Sequence, residues 1–159
     1  MKFFANVSRA TEVSNLLEQS RTYREYLQSV KERLPLSAFD FATAAWHYDY
    51  SDHRCPHDSW VESLTIDEPA RGGRLEARSL HISTRLLGAF HDGYLLLGYA
   101  DVQMYSLESP KALAGHGDWL VDEVRLSDSG FVLHEVLLSN DSRWVIEAKD
   151  ISCEWRPNA

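Results

Sequence analysis

Hydrophobic positions in the first part of the chain follow the spacing of a helix. They recur at steps of three and four residues with one longer gap: Val13, Leu16, Leu17, Tyr23, Leu27, Val30 and Leu34. This pattern is typical of an amphipathic helix that buries one face. Pro35 cannot continue a helix, and it also disfavours helical geometry at the residue before it. The sequence therefore predicts one helix from about residue 11 to about residue 33.

After Pro35 the spacing changes to two, which is typical of strands with one buried face. Seven segments fit this period: 46–50, 60–66, 74–87, 94–107, 120–126, 131–138 and 144–155. Short turns separate several of them, and this favours antiparallel pairing. Asp92-Gly93 predicts a tight hairpin turn in which Gly93 has a positive φ. In the last segment the apolar parity changes near Lys149-Asp150, which predicts a bulge or a bend.

These elements predict an α+β fold in a single domain of residues 1–159. One N-terminal helix would pack on an antiparallel sheet of about seven strands. A small closed β-barrel with a helix is the alternative architecture. The chain has 159 residues, of which 44% are hydrophobic, so one core can form without disulfides or metals.

The net charge is −8, and residues 118–159 hold nine acidic and four basic residues. An acidic surface repels phosphate, so we expect no nucleic-acid partner. The same charge attracts a basic protein surface and accelerates its association. The predicted partner-binding residues are Asp118, Trp119, Asp122, Glu123, Glu135 and Glu147.

A polar cluster spans His47 to Asp58 and contains imidazole, thiol and carboxylate groups, which are zinc ligands. His53, Cys55 and His57 alternate and are the candidate ligands. Pro56 interrupts them, however, and the sequence has no second cysteine pair to complete a closed site. We therefore expect a structural loop with no metal. No catalytic or cofactor-binding motif is recognisable, so we predict no catalytic residue and no cofactor. The sequence favours a protein that binds a partner over an enzyme.

Targeting and redox signals point to the cytoplasm. No apolar run approaches the roughly 20 residues of a membrane span, and the apolar stretch at the N-terminus is too short for a secretory signal. The sequence has two cysteines, Cys55 and Cys153. Two cysteines do not make a disulfide framework, which favours a reducing compartment.

One segment carries a family resemblance. Pro56-His57-Asp58-Ser59-Trp60-Val61-Glu62-Ser63-Leu64, followed by an alternating strand, a hairpin and Tyr99-Ala100-Asp101-Val102, resembles the His-Asp-Ser opening of small bacterial immunity-type proteins. The resemblance implies a bacterial protein that neutralises a toxin of a polymorphic toxin system. His57 and Asp58 are its motif positions, and we expect their role to be structural.

Three functional hypotheses follow from the sequence. The first is a small cytosolic binding protein, an immunity protein that inhibits a toxin through an acidic surface. The second is an enzyme or a metal- or ligand-binding domain with a site around His47–His57. The third is a structural subunit of a larger assembly.

Overall fold

The computed structural model describes residues 2–4, 13–108 and 115–158. The helices are α1 (Val13–Val30), a 3₁₀ turn (Lys31–Arg33) and α2 (Leu36–Thr43). Leu34 is extended, with φ −83° and ψ 143°, so the predicted end of the first helix before Pro35 is confirmed. The predicted start near residue 11 lies outside the described residues.

The second helix corrects the expectation of a single helix. Pro35 precedes α2, where its missing N–H group interrupts no helical hydrogen bond. Ala38, Phe41 and Ala42 are buried. Their spacing of three and four residues is the sequence signal for this helix. The prediction missed it because it applied a spacing of two to every residue after Pro35.

The sheet has six antiparallel strands rather than seven, in the order β1-β2-β3-β6-β5-β4. Their bounds are β1 (Trp60–Asp67), β2 (His81–Leu87), β3 (Gly93–Leu107), β4 (Trp119–Leu126), β5 (Val132–Leu138) and β6 (Arg143–Pro157). The α+β prediction is thus confirmed in its class and corrected in its strand count. The long strands β3 and β6 pair along nearly their whole length and form the centre of the sheet.

The missing strand is the segment predicted over 46–50. It forms consecutive turns instead, in which the amide of His47 donates to Ala44 and the amide of Asp49 donates to Trp46. The alternation of Trp46, Tyr48 and Tyr50 with polar residues was therefore misleading. His47 is the fully buried residue of the segment, because its imidazole has partners in the core.

The predicted change of parity in the last strand is confirmed. The buried residues of β6 are even-numbered up to Ala148 and include the odd-numbered Ile151 beyond it. The bulge itself lies in β3, where the register with β6 shifts between Val102 and Met104. Asp101, next to this bulge, has φ +50°. The two central strands therefore change their buried face at the same place.

The hairpin between β2 and β3 is also confirmed, but the role predicted for Gly93 is wrong. The residue of this turn with a positive φ is His91, at +58°. Gly93 is required for another reason, because a Cβ atom there would lie 2.3 Å from Cζ2 of Trp155 and 2.8 Å from the carbonyl oxygen of Arg156. Close packing, not turn geometry, selects glycine at this position.

The sheet curls until its two edge strands meet at one corner. Trp60 of β1 forms an isolated antiparallel bridge with Asp118, next to the start of β4. Trp119 N donates to Ser59 O at 2.9 Å, and Asp58 N donates to Trp119 O at 2.8 Å. Among the described residues this is the contact that joins the two edges, so the sheet is open rather than a closed barrel.

Both helices and the sheet share one hydrophobic core. Tyr23 and Leu27 of α1 and Phe41 of α2 are buried with apolar residues from the sheet. The largest fully buried side chains include Trp119, Trp144, Tyr23 and Phe4. No helix in the described part of the chain is long and apolar enough to cross a membrane.

Candidate protein-binding surface

Asp122 of β4 is a buried carboxylate that contacts three other buried side chains. Its oxygens lie 2.9 Å from Nε2 of His47, 2.9 Å from Nε2 of His134 and 2.9 Å from the Trp119 indole nitrogen that donates to it. The other ring nitrogen of His134 contacts the Tyr99 hydroxyl at 2.8 Å. This network links the turn segment that follows α2 to the strands β3, β4 and β5.

Burial and charge oppose one another in this network. Burial raises the pKa of Asp122, but the neighbouring His47 and His134 lower it by more, so the carboxyl is held well below its usual range. For His47, burial lowers the pKa, yet Asp122 raises it above the ordinary value. The pair is therefore stabilised in its charged form, as a salt bridge inside the core. None of the five side chains of the network, which are Asp122, His47, His134, Trp119 and Tyr99, is accessible to a substrate.

Side chains also cap the outer edge of β4. Tyr23 pairs with both backbone groups of Val124, and the Tyr26 hydroxyl accepts from Leu126 N at 2.9 Å. The Tyr48 hydroxyl donates to Asp122 O at 2.9 Å, and the His57 ring donates to Leu120 O at 2.8 Å. Tyr48 and His57 thus hold both ends of the polar cluster against this edge.

The anchored segment presents aromatic and imidazole rings to solvent. Tyr50 stacks on His57 with ring centroids 4.1 Å apart, and His53 stacks on Phe90 of the β2–β3 hairpin at 4.2 Å. Trp60 contacts the ring of His91 edge-on at 4.8 Å. His53 also contacts the Asp92 carboxylate. These rings form what we call the aromatic patch: Tyr50, His53, His57, Trp60, Phe90 and His91.

The three large side chains of the patch are about half exposed. The exposed fractions are 50% for Tyr50, 52% for Trp60 and 49% for Phe90. Large apolar side chains grouped on a surface mark interaction sites more often than scattered ones do. Trp60 begins a strand and Phe90 lies in the β2–β3 hairpin, and nothing in their local spacing shows that Trp60 contacts His91 of that hairpin.

The residues predicted to bind a partner lie mostly inside the protein. Trp119, Asp122 and Glu123 are fully buried and Glu135 is nearly so, whereas Asp118 and Glu147 are partly exposed. Glu123 accepts hydrogen bonds from the amides of Lys2, Phe3 and Phe4. Arg125 pairs with both Glu123 and Glu135. In this fold Asp122, Glu123 and Glu135 bond to groups inside the protein and are not available to a partner.

The candidate metal ligands point to different partners. The thiol of Cys55 donates to His47 O at 3.1 Å, His53 contacts Asp92, and His57 contacts Leu120 O. Within the described ranges no three His, Cys, Asp or Glu side chains converge on a point that could hold a metal ion. Burial raises the pKa of the Cys55 thiol to about 12, so the thiol stays protonated at neutral pH and is a poor nucleophile.

Comparison of the chain with protein-family models, with curated proteins and with solved structures finds no match. The resemblance of the His57-Asp58 segment to immunity-type proteins therefore stays a prediction. The function is inferred from the residues of this chain.

Proposed function

We propose that this protein binds a partner protein with a basic surface through the aromatic patch. The observation that carries the proposal is the grouping of Tyr50, Trp60 and Phe90, each about half exposed, at the corner where the two sheet edges meet. Tyrosine and tryptophan are enriched among the residues that dominate binding energy at protein interfaces.

The patch is held in place before any partner arrives. Tyr50, Trp60 and Phe90 each pack against a histidine ring, and the segment that carries Tyr50 is anchored by the buried His47–Asp122 pair. Side chains that are already ordered lose less conformational entropy on association. This arrangement supports a binding role for the patch beyond simple exposure of apolar surface.

The two segments that carry the patch, residues 47–60 and 88–92, are acidic. Asp49, Asp52, Asp58 and Asp92 lie in the same two segments, and Arg54 is the one Lys or Arg residue in them. Arg54 is bonded to Asp52 at 2.8 Å. These aspartates would steer a basic partner and increase its association rate. The sequence led us to expect a basic partner attracted by the acidic C-terminal part. The proposal retains the basic partner and assigns its attraction to the aspartates of these two segments.

The most specific form of the proposal is an immunity protein that covers the active site of a toxin in the bacterial cytoplasm. Its support is the resemblance of the segment from Pro56 to Leu64, since Trp60 of the patch lies within that segment. Blocking an enzyme requires only a surface that binds it tightly.

A site-specific photocrosslinking experiment tests the proposal. A photoreactive phenylalanine analogue replaces Phe90, and in a control chain it replaces Tyr105, which is also an exposed aromatic residue but lies twelve positions along β3 from the hairpin. After irradiation in the source cells, we expect a basic protein to be attached at position 90 and not at position 105.

Purified components then give the binding energy. Trp60→Ala and Phe90→Ala should each weaken binding of the captured protein at least tenfold, while Tyr105→Ala should leave it unchanged. Adding the captured protein to a toxin assay tests the immunity role separately. Capture of an acidic protein, or equal affinity of all three variants, would contradict the proposal.

A further inference from the structure

The two edges of the sheet differ in how their backbone groups are satisfied. Tyr23, Tyr26, Tyr48 and His57 occupy the outer backbone groups of β4. At the opposite edge, β1 pairs with β2 on one side only. Among the residues that the structure describes, no backbone group of residues 63–67 pairs with any other strand or side chain across its outer side.

One face of the open edge is exposed, and on the other face Val61 and Leu64 are only partly buried against the core. Every residue of β1 is exposed or half-buried, and Thr65, Ile66 and Asp67 are all exposed. The register with β2 is regular from Ser63 to Asp67, beyond a bulge near Glu62. Leu64, Thr65 and Ile66 have the β-branched or apolar side chains that favour strands. This stretch is therefore a preformed template for one more strand.

We propose that an extended, basic segment of the partner protein adds to β1 as a seventh strand of the sheet. This inference rests on the proposed function and names how the partner is held. Main-chain hydrogen bonds to an open edge supply affinity in such complexes, and side chains at alternate positions supply selectivity. Trp60 begins β1 and belongs to the aromatic patch, so the edge and the patch form one continuous surface.

Charge along the edge selects the occupant. Residues 58–68 contain four acidic residues, Asp58, Glu62, Asp67 and Glu68, and no Lys or Arg. Glu62 pairs with Arg85 of β2 at 3.0 Å and Glu68 with Arg78 at 3.5 Å, so these six side chains keep a net negative charge after two of the acids are offset. A segment rich in lysine or arginine matches this edge. A second copy of the chain would bring the same four acids against their equivalents, and each copy has a net charge of −8.

Three synthetic peptides of equal charge test the proposal on the full chain. The first alternates lysine and threonine over nine residues. The second has N-methyl groups on the amides of one strand edge, which leaves the other edge able to pair. The third is N-methylated on both edges and cannot add to a sheet. Binding is followed by hydrogen exchange of individual backbone amides, with β4 as the internal control because its outer edge is capped.

Strand addition predicts that the first two peptides slow exchange of the outward-pointing amides of residues 63–67 at least tenfold at saturation, and that the third does not. Exchange in residues 120–126 should not change. Equal binding of the third peptide would show attraction by charge alone and overturn the proposal. Protection confined to other residues, or no binding of the first peptide at millimolar concentration, would also overturn it.

Sedimentation of the protein alone tests whether a second copy of the chain, rather than a partner segment, occupies the edge. A dimer in which the outward-pointing amides of residues 63–67 are already protected would show that a second copy covers the edge, and would overturn the proposal. Phe90→Ala separates this inference from the proposed function. The substitution should weaken binding of the captured partner and leave binding of the peptide at β1 unchanged. The role of the patch and the role of the edge are therefore tested by separate measurements.

Discussion

The hydroxyl of Tyr23 takes the place of a neighbouring strand for Val124. It donates to the carbonyl oxygen of Val124 at 3.0 Å and accepts from the amide of the same residue at 2.6 Å. Both residues are buried. One side chain of α1 thus satisfies two backbone groups that the edge strand β4 would otherwise leave unpaired in the core. Burial also raises the pKa of Tyr23 well above its ordinary value, so the hydroxyl keeps its proton.

Replacing Tyr23 with phenylalanine should therefore destabilise the protein by about 2 kcal/mol or more, because a buried donor and a buried acceptor lose their partner together. Exchange of the Val124 amide should accelerate by more than the change in global stability explains. Tyr26→Phe is the matched control, since Tyr26 is partly buried and accepts a single bond from Leu126. Urea unfolding and amide exchange measure both effects. Equal losses in the two variants would contradict the capping role.

Glu123→Gln should release the N-terminal segment. The Glu123 carboxylate accepts from the amides of Phe3 and Phe4 at 2.8 and 3.1 Å and also contacts the amide of Lys2. A neutral amide makes weaker bonds to these donors, and its NH₂ group can accept none of them. We expect faster proteolysis near residues 2–4 and a loss of about 1–3 kcal/mol of stability. Glu147→Gln, at a half-buried acid of β6, is the control, and its N-terminal cleavage rate should equal that of the wild type.

The His47–Asp122 pair predicts a stability optimum in mildly acidic solution. The pKa of Asp122 is lowered in the folded state, so its contribution is present above the unfolded value of about 4 and is lost as the pH falls towards the folded value. The pKa of His47 is raised, so its contribution is present below about 6.5 and is lost as the pH rises through the folded value. The contribution of the pair is therefore greatest between about pH 4 and pH 6.5.

Urea unfolding between pH 3 and pH 9, about one unit apart, measures this profile. His47→Gln should flatten the fall on the alkaline side, and Asp122→Asn should flatten both sides while it destabilises the protein by about 3 kcal/mol. Asp128→Asn, at an exposed turn residue, should leave the profile unchanged. A wild-type profile that rises steadily from pH 6 to pH 9 would contradict the assignment of charge.

Gly93 and Trp155 should be coupled energetically. Gly93→Ala places a methyl group in contact with the Trp155 ring and should cost about 1–3 kcal/mol through overpacking. In the Trp155→Ala background the ring clash is removed and only the contact with the Arg156 carbonyl remains, so the same substitution should cost less. A double-mutant cycle by thermal unfolding measures the difference. Identical costs in both backgrounds would mean that the ring does not restrict this position.

The local pattern was sufficient for the elements whose buried residues follow one period. The first helix ends before Pro35 as predicted, because proline changes the chain locally whatever surrounds it. The hairpin at Asp92-Gly93 and the parity change in β6 were also predicted, because short-range spacing encodes them. The α+β class followed from these same signals.

The site was beyond such reasoning, because contacts between distant residues create it. Buried His47 bonds to Asp122, which lies 75 positions later in the chain. With this contact, the segment with alternating polarity forms consecutive turns and not a strand. Acids that the sequence assigned to a surface, Asp122 and Glu123, are buried because histidines and backbone amides compensate their charge. The aromatic patch likewise joins Tyr50 and Trp60 to a hairpin some 30 positions away from Trp60. A one-dimensional pattern specifies which face of an element is apolar, whereas the partner that compensates a buried charge is known once the chain has folded.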